Sequence, residues 1–254
     1  MRHLLLTSLL AAINLLVFGQ DIRTSDFYNR IGTYDISELW LVEKFDIEND
    51  TISVERLAPL GYIGDNFQRL HIHFISAIQN HHNALEYFIY GKSKVKENIC
   101  SFQGTIIIEE SRTYDEGDVP NLKQGFVKGR YTFYENPHQN GAGVLAGNFK
   151  TDFYINENNE IKYDAIAFVA DGFKNNQFEG TWTSYQNRES KTCNWGDYRI
   201  PDSDELDIGA GEFSPLEKYT SFGWENYIKA WGSYPDKPDV IKAREREKRK
   251  WWLD

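Results

Sequence analysis

The sequence predicts an all-β protein, an antiparallel meander barrel or sandwich of about 9–10 strands with a short C-terminal α-helix. Two observations carry that prediction. A glycine followed by alternating apolar and polar residues recurs, as Gly104-Thr-Ile-Ile-Ile-Glu-Glu, Gly129-Arg-Tyr-Thr-Phe-Tyr-Glu, Gly147-Asn-Phe-Lys-Thr-Asp-Phe-Tyr and Gly180-Thr-Trp-Thr-Ser-Tyr. Alternation of period two gives a strand one apolar and one polar face, and each glycine marks a point where the strand bends or another backbone comes close. Between such segments lie short turn signals, among them Asn49-Asp50, Asn156 to Asn159 and Asp171-Gly172, which suit strands that fold back on their neighbours.

In chain order, residues 1–20 read as a signal peptide. Arg2 and His3 open it, and Leu4 to Phe18 is an apolar run too short to span a bilayer comfortably, with cleavage expected near Gly19 or Gln20. The alternative is an uncleaved anchor. No later segment is apolar enough to cross a membrane, so the mature chain is expected to be soluble and secreted or periplasmic. About 235 residues then remain, enough for one large β domain at 21–200 with an appendage at 201–254. The net charge of -10 argues against nonspecific nucleic-acid binding, which needs a basic surface. An exported chain can oxidise its two cysteines, Cys100 and Cys193, and a closing sheet could make their strands neighbours. Their spacing does not decide the pairing.

The first strand is expected in Leu39-Trp-Leu-Val-Glu-Lys-Phe, with Thr51 to Leu57 as its partner. Phe67 to Ile78 and Leu85 to Lys96 form the clearest hairpin, turning across Asn80 to Asn83. The Gly104, Gly129 and Gly147 strands follow, then Ile161 to Ala170, Phe178 to Tyr185 and Lys191 to Ile200. Residues 201–254 comprise an aromatic-rich irregular segment to Tyr234 and a helix from about Asp239 to Trp252, capped by Asp236 or Asp239.

The candidate ligand-binding residues come from the hairpin. Arg69, His71 and His73 share one face of their strand, and Lys92, Lys94 and Lys96 alternate in the same way on the next. A turn centred between His81 and His82 sets His71 opposite Lys92 and Arg69 opposite Lys94. Opposed like charges are unfavourable. The stripe therefore calls for compensation by acidic neighbours, by solvent, or by a small anionic or glycan ligand. A His-x-His metal pair lacks the third ligand that zinc asks for, so no metal and no cofactor is assigned.

The acidic loops at Asp115, Glu116 and Asp118, and at Asp202, Asp204, Glu205 and Asp207, offer carboxylates of the kind that hydrolyse glycosides, but their spacing matches no catalytic or calcium motif, and no catalytic residue is assigned. The terminal run Lys242 to Trp252 reads as a solvated helix with i,i+4 pairs, because it has no continuous apolar stripe.

Gly104, Gly129-Arg-Tyr, Gly147-Asn-Phe and Gly180-Thr-Trp-Thr-Ser-Tyr, followed by a charged C-terminal helix, resemble the calycin architecture of lipocalins and avidin-like proteins. The resemblance covers about half the chain. The lipocalin Gly-x-Trp opening is absent, since Trp40 follows Ser37-Glu38-Leu39. The resemblance implies a small ligand inside the barrel, and no binding residues are carried over from it. The first functional expectation is therefore an exported, non-enzymatic β-barrel that binds a small molecule, glycan or protein partner. The alternatives are a secreted hydrolase acting on an extracellular polymer, and a structural or inhibitor-like interaction module.

Overall fold

The computed structural model describes residues 23–47, 52–119, 122–203, 205–232 and 235–253. The expected signal peptide and the Asn49-Asp50 turn lie outside them. The alternating segments form long antiparallel strands: β5 (Gln68–Asn80), β6 (Asn83–Val95), β7 (Asn98–Tyr114), β8 (Lys123–Glu135), β9 (Gly143–Ile155), β11 (Asn175–Ser184) and β12 (Ser190–Asp197). With the short β4 (Leu60–Ile63) they pair in a closed ring, β4-β5-β6-β7-β8-β9-β11-β12 and back to β4. β1 (Thr24–Asp26) extends the edge of β7, and β10 (Ile161–Tyr163) extends that of β9. β2 (Lys44–Ile47) and β3 (Ile52–Glu55) form a separate hairpin.

Two of the leading glycines explain how the ring curves. Gly104 and Gly129 lie where β7 and β8 cross at close range. A Cβ on Gly104 would fall 1.9 Å from the Thr132 carbonyl oxygen, and one on Gly129 would fall 1.9 Å from that of Ile107. Only hydrogen fits at either point.

The inward face of the ring is filled by rings of another kind. Phe102 stacks on Phe133 at 5.0 Å, Phe178 on Trp195 at 4.9 Å, and Tyr131 meets Trp195 edge-on at 5.0 Å. One end of the barrel is closed by the N-terminal segment, which carries the helical turns α1 (Tyr28–Ile31) and α2 (Glu38–Leu41). Phe27 packs on Phe153, and Trp40 on Tyr87 and Phe149.

Three expectations need correction. Leu39 to Leu41 is a helical turn, and the strand that follows it begins only at Lys44. Leu39 and Trp40 are consecutive and both buried, so they cannot alternate across a sheet. Their carbonyls are also engaged elsewhere, accepting from Asn176 Nδ2 and Arg56 Nη2. The strand expected from Ile161 to Ala170 stops at Tyr163, where Asp164 Oδ1 accepts the amide of Ile166 and starts a run of turns. Cys100 and Cys193 are both buried and unbridged. They stand on β7 and β12, four strands apart in either direction round the ring, so closing the sheet places them opposite each other.

After β12 the chain packs on the outside of the barrel. Leu206, Phe213, Tyr219 and Trp224 form a second core with Leu60, Tyr62 and Ile200. A 3-10 turn (Glu217–Phe222) leads to α3 (Glu225–Trp231) and then α4 (Pro238–Glu247). The cap of α4 is Lys237, with Pro238 supplying the pre-set first turn and Asp239 lying within it; no side chain caps it. The helix is more than a solvated rod. It buries Val240 and Ala243, Arg244 Nε donates to the Ala230 carbonyl of α3, and Trp251 beyond its end is 6% exposed.

Among the described residues, no helix is long and apolar enough to cross a membrane.

Candidate functional site

β5 divides its side chains between two environments. Leu70, Ile72 and Phe74 enter the barrel core, while Arg69, His71 and His73 emerge on the outer face. The alternation was expected, but the register differs by two residues. His71 lies opposite Lys94 and His73 opposite Lys92, because irregularities between Phe74 and Ser76 and between Gln79 and Asn80 displace the ladder. A displacement of two keeps every side chain on its face.

The outer stripe is covered by the C-terminal segment. Arg69, with 4% of its side chain exposed, donates from Nη2 to Glu247 Oε2 at 2.9 Å. Its guanidinium lies 4.3 Å from the Trp224 ring centre and 5.2 Å from that of Tyr227. Trp251 packs against His71 at 5.9 Å, and Trp252 stacks on His73 at 3.7 Å with the planes 16° apart. Compensation on the β5 side of the positive stripe thus comes from Glu247 and a set of aromatic faces. Burial pushes His71 well below the usual histidine range, with Arg69 and Lys94 adding to it. Burial likewise lowers His73 to about 4, helped by Arg56 and Lys250. Both are neutral at pH 7.

Beside the stripe lies a cleft of about 530 Å³. Arg69, His71 and His73 form part of its wall, and the lead-in to β4 at Leu57 to Leu60 forms another part. Phe168, Phe173, Tyr198, Trp231 and Trp252 supply aromatic surface, and Lys248 and Lys250 add cations from the C-terminal run. Glu43, Glu55, Asp171 and Glu212 also reach it, so its lining carries both signs of charge. The opening exists because β4 pairs with β5 over only Tyr62–Arg69 and Ile63–Gln68 before the two strands part. Lys92 and Lys94 are not among the lining residues; Lys94 lies 3.6 Å from Glu97.

The inner wall of the cleft is braced by a buried polar network with no signature in the sequence. Arg56 Nη1 donates to Asp197 Oδ2 at 3.1 Å; burial opposes the charge on Arg56, but Asp197, Tyr163 and Tyr198 together outweigh it and the net displacement is upward. Tyr163 and Asn176 also donate to Asp197 Oδ2, Asn176 Oδ1 accepts from Thr151, and Thr151 Oγ1 accepts from Trp40 Nε1. These bonds tie the N-terminal closure, the β2–β3 hairpin and four strands of the main sheet into one unit. Asn175 and Asn176 open β11 at a register shift, where Asn176 takes a positive φ of 47°, a conformation that asparagine tolerates.

Three carboxylates of the acidic loops bond locally, and Asp204 lies outside the described residues. Asp115 accepts from Ser25, Asp118 from Gln124, and Asp207 from Arg199. His81 and His82 occupy the β5–β6 turn. Among the described residues, no three or more His, Cys, Asp or Glu side chains are arranged to hold a metal.

No family model, curated protein or solved structure matches the chain. The ring of strands is the all-β barrel that the alternation predicts, and the open volume lies outside the ring.

Proposed function

We propose that the chain is an exported, non-enzymatic binding protein whose ligand is a small molecule held in the outer cleft. The observation that carries this reading is the contrast in filling. The barrel axis is packed ring on ring, whereas about 530 Å³ stands open between β5 and the C-terminal segment. Small-molecule sites are concave, mostly apolar and of roughly this size, about 300–1,000 Å³. Export rests on the N-terminal apolar run alone. The test is titration with a neutral, environment-sensitive dye such as Nile red, alongside Ala170→Trp, which places an indole in the cleft wall. Saturable binding that the substitution weakens about tenfold or more supports the reading. Absent binding, or binding indifferent to the substitution, rejects it.

A second reading is favoured by the outer face of the same hairpin. Ile78, Phe88, Tyr90 and Tyr134 are between 43% and 58% exposed. Phe88 stands opposite Ile78, while Tyr90 and Tyr134 flank Gln103 on β7. Contiguous exposed rings of this kind mark interaction surfaces, which suits the interaction-module alternative.

A further inference from the structure

The inference concerns the chemistry of the cleft's ligand and rests on the reading above. Arg69 is the feature that the fold leaves incomplete. Its side chain is 4% exposed, and of its three nitrogens only Nη2 meets an acceptor, Glu247. Nε and Nη1 are buried with no hydrogen-bond partner among the described residues. Trp224 and Tyr227 lie against the guanidinium at 4.3 and 5.2 Å. Aromatic faces attract the cation, but they do not replace in-plane acceptors for its N–H groups.

A buried donor without an acceptor costs about 1–3 kcal/mol, and folded proteins leave few such groups unexplained. Arg69 is also part of the cleft wall. An acceptor held in the cleft therefore lies beside Arg69.

We propose that the cleft binds a small molecule with an apolar body and one anionic head, a carboxylate or a phosphate, and that the head accepts hydrogen bonds from the unpartnered N–H groups of Arg69. Guanidinium favours these two heads because its planar donors match their oxygens, and charge-assisted bonds of this type are about twice as strong as neutral ones. The body lies against Trp231, Trp252, Phe168 and Phe173. Lys248 and Lys250 add positive charge, while Glu212, Glu55, Glu43 and Asp171 oppose it. Selectivity for the anion thus comes from Arg69 and owes nothing to the overall charge of the cleft. Glu247 is the built-in competitor: it occupies one nitrogen and neutralises the guanidinium, which keeps the empty site stable.

The experiment is calorimetric titration of the full chain with decanoate, decyl phosphate and decanol, three probes that share one tail. Decanoate or decyl phosphate is expected to bind at least about tenfold tighter than decanol, and the stronger of the two identifies the head. Arg69→Gln is expected to erase that preference while leaving decanol affinity within about twofold. Because Arg69→Gln strands Glu247 and can unfold the chain, Glu247→Gln is the second arm. It keeps the shape, removes the competing charge, and is expected to tighten anion binding by about threefold or more. Equal affinity for all three probes in the native chain overturns the anionic head and leaves the cleft reading standing. So does a Glu247→Gln variant with unchanged anion affinity. No binding by any probe, decanol included, instead removes the cleft reading itself. Water on the unpartnered N–H groups of Arg69 predicts the equal-affinity result.

Discussion

The two faces of β5 meet different partners. Leu70, Ile72 and Phe74 face a space that the strand ring encloses and fills with its own side chains. Arg69, His71 and His73 face a cover built from distant sequence, with Glu247 arriving 178 positions after Arg69. The inner face is redundant, since each ring there has several aromatic neighbours. The outer face hangs on a few contacts made by Glu247, Tyr227 and three indoles, Trp224, Trp251 and Trp252. Redundancy suits a framework. A cover attached at few points, with an incompletely satisfied cation beneath it, suits a site that must admit something.

The largest expected effect tests the framework side. Trp195 is 2% exposed and packs against both Phe178 and Tyr131. Trp195→Ala should cost about 3–5 kcal/mol in urea denaturation, the sum of lost transfer energy and a cavity that the barrel cannot close. Trp252→Ala, on the outer face, should cost about 1 kcal/mol or less yet change ligand affinity in the cleft. Similar losses for the two indoles would erase the distinction between frame and cover.

How much of this was legible follows the same division. Alternation and leading glycines located the long strands, because strand faces repeat every two residues and Gly104 and Gly129 sit where only hydrogen fits. The same alternation put Arg69, His71 and His73 on one face. It could not show what covers them, since the cover depends on how a segment more than 150 residues away folds back over β5. Leu39-Trp40 misled because a strand and the closure of a barrel end both call for apolar residues. The Arg56–Asp197 network was invisible because buried polar partners assemble from six separate segments.

The intermediate effect is a pH dependence located in the cover. His73 sits beneath Trp252, faces the charges of Arg56 and Lys250, and has its pKa lowered to about 4. His71 lies under Trp251 beside Arg69 and Lys94 and is displaced in the same direction. In the unfolded chain both titrate near pH 6.5. Their contribution to stability is therefore complete above about pH 6.5 and is lost as pH falls towards 4, because the unfolded state takes up protons that the folded state refuses. Thermal melts should show Tm lower by about 2–4 °C at pH 5 than at pH 7, allowing for partial exposure of His73. His73→Gln should flatten that slope. A slope unchanged in His73→Gln would mean that Trp252 does not keep His73 dry.

The smallest effect concerns the framework's thiols. The proposed export would bring the chain to oxidants, where two cysteines would ordinarily be expected to pair. Here the strand order forbids it. A disulfide needs its Cα atoms within about 7 Å, whereas Cys100 and Cys193 sit on strands four places apart round a ring whose adjacent members are about 4.8 Å apart. Burial also raises both thiols, Cys100 to about 11 and Cys193 further, so little reactive thiolate exists in the native chain. The protein isolated without reductant should yield two titratable thiols on denaturation, label slowly when native with Cys100 reacting first, and change Tm by less than about 1 °C when reductant is added. An intramolecular bridge found by mass spectrometry would require β7 and β12 to be near neighbours, which the closed eight-stranded order does not permit.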